Sequence, residues 1–221
     1  MAQRLAVAAT PAGSHTARAM PWAAHTDADS DEDLMLAYAA GDAGAFDTLY
    51  ARHRGGLYRY FARQVRGASA ADELFQDVWM SVIRVRETWR PTAKFTTWLY
   101  TLARNRLVDH WRATGQAILV SIDDDDDPCT TATVNAVPGA RSDQPEVRTE
   151  ASALGARLTA ALSSLPAAQR DAFMLHQEGG LALAEIAALT GVGVETVKSR
   201  LRYALAKLRV KLGAVQEASP R

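Results

Sequence analysis

The sequence has a single cysteine, Cys129, among its 221 residues. One cysteine excludes an internal disulfide, so the fold must depend on a hydrophobic core, and a reducing compartment is expected. The five histidines are scattered without the spacing of zinc ligands, and we predict no metal and no other cofactor. No phosphate-binding loop, dinucleotide fingerprint or nucleophile elbow is present, so we predict that the chain is not an enzyme.

Long apolar runs and strand patterns are also missing. No stretch approaches the ~20 apolar residues of a membrane-spanning helix, so we expect a cytoplasmic protein with no stable membrane insertion. Apolar residues instead recur at helical spacing, as in Leu74, Val78 and Val82, and the same spacing returns after residue 151. The sequence therefore predicts an all-α fold.

The formal net charge is zero, but the charges are unevenly distributed. Residues 34–112 hold 12 basic and 7 acidic side chains, and residues 151–212 hold 8 and 4. The segment 113–150 holds 2 basic and 8 acidic side chains, including the five consecutive aspartates Asp123–Asp127. Two basic blocks separated by an acidic segment predict two domains that meet a polyanion, joined by an extended linker.

We therefore predict two small helical domains joined by a flexible acidic linker, the second domain being a helix-turn-helix. A disordered leader and a short tail are expected at the ends of the chain. The predicted boundaries are 1–30 for the leader, 31–112 for the first domain, 113–150 for the linker, 151–212 for the second domain and 213–221 for the tail.

The clearest local motif lies between Leu183 and Lys211. The small residue Ala187 is followed after four residues by Gly191, and after six more by Val197, a spacing typical of a helix-turn-helix. A glycine suits the left-handed turn between the two helices, and the second helix should begin near Gly193 or Val194. Its other faces carry side chains that can reach phosphates and base edges: Thr196, Lys198, Ser199, Arg200, Arg202 and Lys207. An ordinary helical hairpin with a solvated basic face is the alternative.

An earlier segment predicts a helix with an acidic face, capped by Ser69. Asp72, Glu73, Gln76 and Asp77 lie outside its apolar stripe, and Trp79 is either at the rim of the core or an exposed anchor. Exposed acids beside an aromatic can form a protein-docking surface. A face that is merely solvated is the alternative.

The next segment predicts a helix from about Thr96 to Trp111 in which basic and aromatic side chains alternate. This combination suits single-stranded nucleic acid, because bases stack on rings while cations meet the backbone. The alternative is a core helix with a polar face.

Taken together, these segments resemble the small extracytoplasmic-function (ECF) group of the sigma-70 superfamily of sigma factors. AFDTLYARH, DELFQDVWMSVIR and FTTWLYTLARNRLVDHWR resemble the domain that binds core RNA polymerase and opens the −10 promoter element. LPAAQRDAFML and LAEIAALTGVGVETVKSRLRYALAKLR resemble the domain that reads the −35 element. The resemblance covers about residues 31–212 and implies a factor that directs promoter-specific transcription initiation.

The resemblance also implies a role for particular residues. Contacts to the −35 element are expected from Glu195, Thr196, Lys198, Ser199, Arg200, Arg202 and Tyr203. Contacts to the −10 element are expected from Lys94, Phe95, Trp98, Arg104, Asn105, Asp109 and Arg112, with Asn105 as a base-reading residue. Contacts to polymerase are expected from Asp72, Glu73, Gln76, Asp77 and Trp79.

The partners implied are core RNA polymerase, promoter DNA and an anti-sigma factor. One departure from the family pattern is Gly193, where many relatives place serine or threonine at the start of the recognition helix. A helix-turn-helix regulator of the response-regulator output type is the alternative function, and it would account for residues 151–212 alone.

Overall fold

The computed structural model describes residues 29–115 and 145–213, and within these ranges every regular element is a helix. The predicted all-α fold is thereby confirmed. The leader up to residue 28, the aspartate run, Cys129 and the tail from residue 214 lie outside the described residues. The eight helices of the described ranges are α1 (Asp31–Ala39), α2 (Ala43–Ala62), α3 (Ala68–Val85), α4 (Phe95–Ala113), α5 (Pro145–Ser163), α6 (Ala167–Gln177), α7 (Leu183–Thr190) and α8 (Val194–Gly213).

Helices α1 to α4 pack around one apolar core. Helix α2 contacts α1, α3 and α4, while α4 also contacts α1 and α3. Leu74, Val78 and Val82 are all buried, as their spacing in α3 predicts. This stripe meets α2 and α4 because residues three or four apart share one face of a helix.

Helices α5 to α8 form the second group, with α8 at its centre. Helix α8 contacts α5, α6 and α7, and α6 also contacts α7. Val197 and Ala204 of α8 are fully buried, as are Leu175 of α6 and Ile186 of α7. The long helix α8 thus supplies one apolar face to three neighbours and leaves its remaining surface outside the core.

Two helix starts differ from the sequence-based expectation, which places the first helix at about Asp33 to Ala40 and a Ser69 cap on α3. Helix α1 begins at Asp31 because Ser30 caps it: the Ser30 hydroxyl accepts a hydrogen bond from the Asp33 N–H at 3.1 Å. Ser69 does not cap α3, which begins at Ala68 with Gly67 as its N-cap residue and no side-chain cap. The Ser69 prediction was therefore wrong, because the helix begins one residue before it.

Helix α5 also begins earlier than expected. It starts at Pro145, inside the segment 113–150 that the charge pattern assigned to the linker. Proline suits the first position of a helix, where its missing N–H would have no helical partner. The acidic composition of the segment obscured this start.

The turn between α7 and α8 provides a test of backbone conformation. Gly191 has φ 74° and ψ 25°, in the left-handed region, and an added Cβ there would have nothing within 4 Å. Gly191→Ala should therefore lower the free energy of unfolding by ~1 kcal/mol through the backbone alone. Chemical denaturation would measure the change.

The matched control is Gly155→Ala in α5. Gly155 is not among the glycines with positive φ, and its added Cβ, like that of Gly191, would have nothing within 4 Å. Because alanine is favoured over glycine inside a helix, this variant should be close to neutral or slightly stabilising. Equal losses in the two variants would contradict the role given to the Gly191 conformation.

Candidate nucleic-acid interface

The C-terminal interface begins with the geometry of the α7–α8 turn. The N–H groups of Gly191 and Val192 both donate to the Ala187 carbonyl, at 2.9 and 3.2 Å, and so close the end of α7. At the other end of α7, the Glu185 carboxylate accepts from the Ala182 N–H at 2.8 Å. Ala187 is buried at the crossing of the helices, and the predicted helix-turn-helix spacing is confirmed.

Helix α8 has a buried apolar face and an exposed polar face. Val197, Leu201, Ala204 and Leu208 are buried at intervals of three or four residues. The residues predicted for the −35 element lie on its other faces. Glu195, Lys198, Arg202 and Tyr203 are exposed, whereas Thr196, Ser199 and Arg200 are partly buried.

Local contacts on the exposed face of α8 are weak and leave its cations available. Lys198 Nζ lies 3.5 Å from the Glu195 carboxylate, and both side chains are largely in water, where such a pair contributes little. The Arg202 guanidinium lies 5.1 Å from the centre of the Tyr203 ring. A phosphate or base edge can therefore compete for Lys198 and Arg202 at small cost.

The predicted acidic surface is present on α3, but without its aromatic member. Asp72, Glu73, Gln76 and Asp77 are exposed. Trp79 is only 5% exposed, with its ring centre 4.9 Å from that of Tyr50. Its assignment as a surface contact was wrong, because an aromatic cluster extends the buried stripe of α3 to include it.

The N-terminal end of α4 departs from prediction in a similar way. Phe95 is fully buried, with its ring centre 5.6 Å from that of Trp98 and 5.4 Å from that of His53. A buried ring cannot stack on a base, so Phe95 supports Trp98 from below. Trp98 itself is partly buried, and Lys94 is exposed.

Further along α4, neighbouring residues face different surroundings. Asn105, Asp109 and Arg112 are exposed, as expected for a nucleic-acid surface. Arg104 is not: its Nε donates to Asp171 Oδ2 at 3.0 Å, and its Nη1 donates to the Leu189 carbonyl at 3.1 Å. Arg104 therefore faces the C-terminal group of helices, so in this arrangement it is not available to DNA.

Sequence reasoning did not identify Asp171 as a site of interest. This aspartate of α6 is 5% exposed, although nothing in its local sequence distinguishes it from a solvated residue. Burial and its contact with Asp171 raise the pKa of the Tyr60 hydroxyl well above its usual range, which keeps that hydroxyl protonated as a donor.

Two observations limit the chemistry of the described residues. No group of three or more His, Cys, Asp or Glu side chains comes together as a metal site within residues 29–115 and 145–213. None of the helices there combines the length and the hydropathy that crossing a membrane would require.

Both groups of helices resemble known proteins. The family model for Sigma-70 region 2 matches residues 49–116, and that for Sigma-70 region 4 matches residues 155–208. RNA polymerase sigma factor CarQ of Myxococcus xanthus is 30% identical over 183 residues, 82% of this chain and 97% of that protein. ECF RNA polymerase sigma factor RpoE of Cereibacter sphaeroides is 35% identical over 162 residues, 69% of this chain and 82% of that protein.

Two solved structures share the fold. CnrH, in complex with the cytosolic domain of CnrY, has a TM-score of 0.56 at 23% identity and covers 87% of this chain and 100% of its own. RpoE of Bartonella quintana, in complex with the anti-sigma factor NepR, has a TM-score of 0.53 at 21% identity. That match covers 76% of this chain and 96% of its own.

The chain belongs to the sigma-70 superfamily, in its ECF group, and its function is promoter-specific transcription initiation. Sigma factors are DNA-binding regulatory subunits rather than enzymes. The alternative of a response-regulator output protein is not favoured, because the N-terminal helices match a sigma region as well.

The acidic surface of α3 yields a prediction. Asp77→Lys should weaken binding to core RNA polymerase roughly tenfold, because a reversed charge in a complementary interface slows association and removes an attraction. Asp47→Lys makes the same change on an exposed part of α2 and is the control. A pull-down titration would measure both variants. Equal affinities, with unchanged circular dichroism, would make Asp77 an ordinary solvated residue.

Proposed function

We propose that this sigma factor reads the −35 element with α8 and captures the −10 element with α4, while α3 docks on core RNA polymerase. The observation that carries the proposal is the division of α8 into a buried apolar face and an exposed polar face directly after a helix-turn-helix turn. Such a helix fits the major groove, and its exposed side chains lie where base edges and phosphates are read.

The −35 contacts follow from the chemistry of the exposed side chains of α8. The planar fork of Arg202 can donate two hydrogen bonds to one guanine, whereas Lys198 presents a compact charge to a phosphate. The Ser199 hydroxyl can form a hydrogen bond with a base edge or with a phosphate. The glycine at position 193 gives the helix start no side-chain cap, at a cost of a few tenths of a kcal/mol relative to serine.

The −10 contacts rest on the exposed part of α4 and the residue before it. Asn105 presents both a donor and an acceptor to one base edge, which suits an unpaired base better than a stacked one. Lys94 and Arg112 supply positive charge for the strand backbone, and the exposed part of Trp98 supplies an aromatic surface. Capturing unstacked bases offsets duplex opening, which costs a few kcal/mol for each extruded base.

The partners follow from these surfaces and from the relatives. Asp72, Glu73, Gln76 and Asp77 face core polymerase, and Trp79 supports that surface from within. An anti-sigma factor is a further partner, since the matching RpoE structure contains one. The chain acts without catalytic activity or cofactor, in the cytoplasm, where promoter DNA and polymerase meet.

Run-off transcription tests the proposal directly. Core RNA polymerase alone should yield no promoter-specific transcript, and adding the chain should produce one from a matched promoter. A regulator of the ordinary helix-turn-helix kind cannot confer initiation on core enzyme. Binding to promoter DNA without any transcript from core enzyme would therefore overturn the proposal.

The recognition helix can be tested at one side chain. Arg202→Ala should weaken −35 recognition by ~1–3 kcal/mol if the guanidinium reads a base. Arg209→Ala is the control, because Arg209 is also exposed on α8 but lies two turns further from the start of the helix. Transcription from a series of −35 variants would measure both. Parent-like transcription by the Arg202 variant would remove that residue from the interface.

Promoter opening can be tested at Asn105. Asn105→Ala should leave polymerase binding intact and reduce open-complex formation roughly tenfold, since one base loses its paired hydrogen bonds. Permanganate footprinting of unpaired thymines would measure opening, with a pull-down as the control for polymerase binding. Normal strand reactivity in the variant would count against the role given to Asn105.

A further inference from the structure

Helix α4, which carries the proposed −10 surface, begins without a cap from its own sequence. Within the described residues its N-cap residue, Lys94, forms no side-chain cap, because a lysine side chain donates hydrogen bonds and cannot accept them. The first turn of α4 contains no acid either. The first N–H groups of a helix have no partner inside it, so those of α4 need acceptors from elsewhere.

The acceptor for the first of these groups comes from Glu32 of α1, 63 residues earlier in the chain. The Phe95 N–H donates to the Glu32 carboxylate at 2.5 Å. Glu32 is half-buried and the Phe95 ring is fully buried, so water has limited access to this hydrogen bond. The carboxylate also lies at the positive end of the α4 dipole, where a negative charge is favourable. Glu32 therefore supplies from another helix the cap that α4 needs.

The preceding residue, Asp31, fixes the start of α1 against α2. Its carboxylate accepts a hydrogen bond from Arg52 Nη1 at 2.8 Å and lies 2.7 Å from His53 Nε2. The centre of the His53 ring lies 5.4 Å from that of Phe95. Glu32 is thus presented to α4 from a position that α2 determines.

Helix α1 also contacts the other end of the segment that joins α3 to α4. The Arg86 guanidinium lies 5.8 Å from the centre of the Tyr38 ring, near the end of α1. Between the two ends Trp89 is buried, with its ring centre 6.3 Å from that of Phe95. Residues 90–94 are exposed. Helix α1 therefore holds both ends of a segment whose last residues face solvent.

We propose that Glu32 is a positioning residue for promoter opening, because its cap holds Lys94 in place at the start of the −10 surface. The inference rests on the proposed function, in which Lys94 meets the backbone of the unpaired strand. The Lys94 carbonyl accepts from the Trp98 N–H at 3.1 Å, so fraying of this turn would move both the Lys94 charge and the Trp98 ring. Glu32 acts through these residues and does not itself contact DNA.

Hydrogen exchange on the full-length protein tests the cap without polymerase or DNA. In Glu32→Ala the Phe95 amide should exchange roughly tenfold faster than in the parent, because it loses a charged acceptor. In Glu32→Gln the side-chain amide keeps an oxygen acceptor at the same reach, so much of the protection should return. Parent-like exchange in Glu32→Ala would show that the carboxylate does not cap α4 and would overturn the proposal.

The neighbouring acid supplies the matched control. Asp33 shares the first turn of α1, is exposed, and accepts from the Ser30 hydroxyl at 2.7 Å. Asp33→Ala and Glu32→Ala each remove one acid from that turn, so they weaken the start of α1 to a similar extent. Only Glu32→Ala should expose the Phe95 amide. Equal exchange at Phe95 in the two variants would assign the effect to α1 as a whole and contradict the proposal.

Transcription with core polymerase separates a positioning role from a general loss of folded protein. Glu32→Ala should reduce open-complex formation on a duplex promoter several-fold, with parent-like affinity for core polymerase, and Glu32→Gln should recover much of the loss. On the same promoter with an unpaired −10 segment the defect should shrink, because duplex opening no longer has to be offset. An equal loss on both templates would overturn the proposal. Faster opening by Glu32→Ala would also overturn it, by showing that the carboxylate competes with DNA for the start of α4.

A double-mutant cycle tests the route through Lys94. Lys94→Ala should itself slow opening, and Glu32→Ala should then have a smaller effect than it has alone, because the charge that it positions is gone. Fully additive losses would contradict the proposal. Failure of the parent to yield a run-off transcript would instead contradict the proposed function, whereas the exchange measurement would still report on the cap.

Discussion

The burial of the Asp171 carboxylate is the constraint on which the arrangement of the two domains depends. A carboxylate out of water is tolerated only with a full set of donors. The donors to Asp171 are Tyr60 of α2, Gln64 just after the end of α2, and Arg104 of α4. Those two helices must therefore keep one relative position for α6 to dock. The packing of the N-terminal core fixes the positions of α2 and α4 and thereby fixes where α6 docks.

Much of the fold could be predicted because its signals are local. Apolar residues at intervals of three and four predicted the buried faces of α3 and α8, and the glycine at position 191 predicted the turn before α8. The two aromatic residues that were wrongly assigned to the surface lie at the edges of buried apolar faces. Trp79 and Phe95 are aromatic residues beside polar ones, and sequence alone does not say whether such a ring closes a core or stands on the surface. Contacts with other rings decide that they are buried: Trp79 packs against Tyr50 of α2, and Phe95 packs against Trp89 and Trp98.

The contact between the domains could not be predicted, because its partners are far apart in sequence and individually ordinary. Arg104 and Asp171 are separated by 67 residues, and Arg59 and Glu178 by 119. An arginine on a basic helix is well explained by nucleic acid, so nothing in its neighbourhood suggested a carboxylate partner. An arginine on this helix could bind either a nucleic acid or a carboxylate. Only the contact between α4 and α6 shows that Arg104 binds Asp171 here.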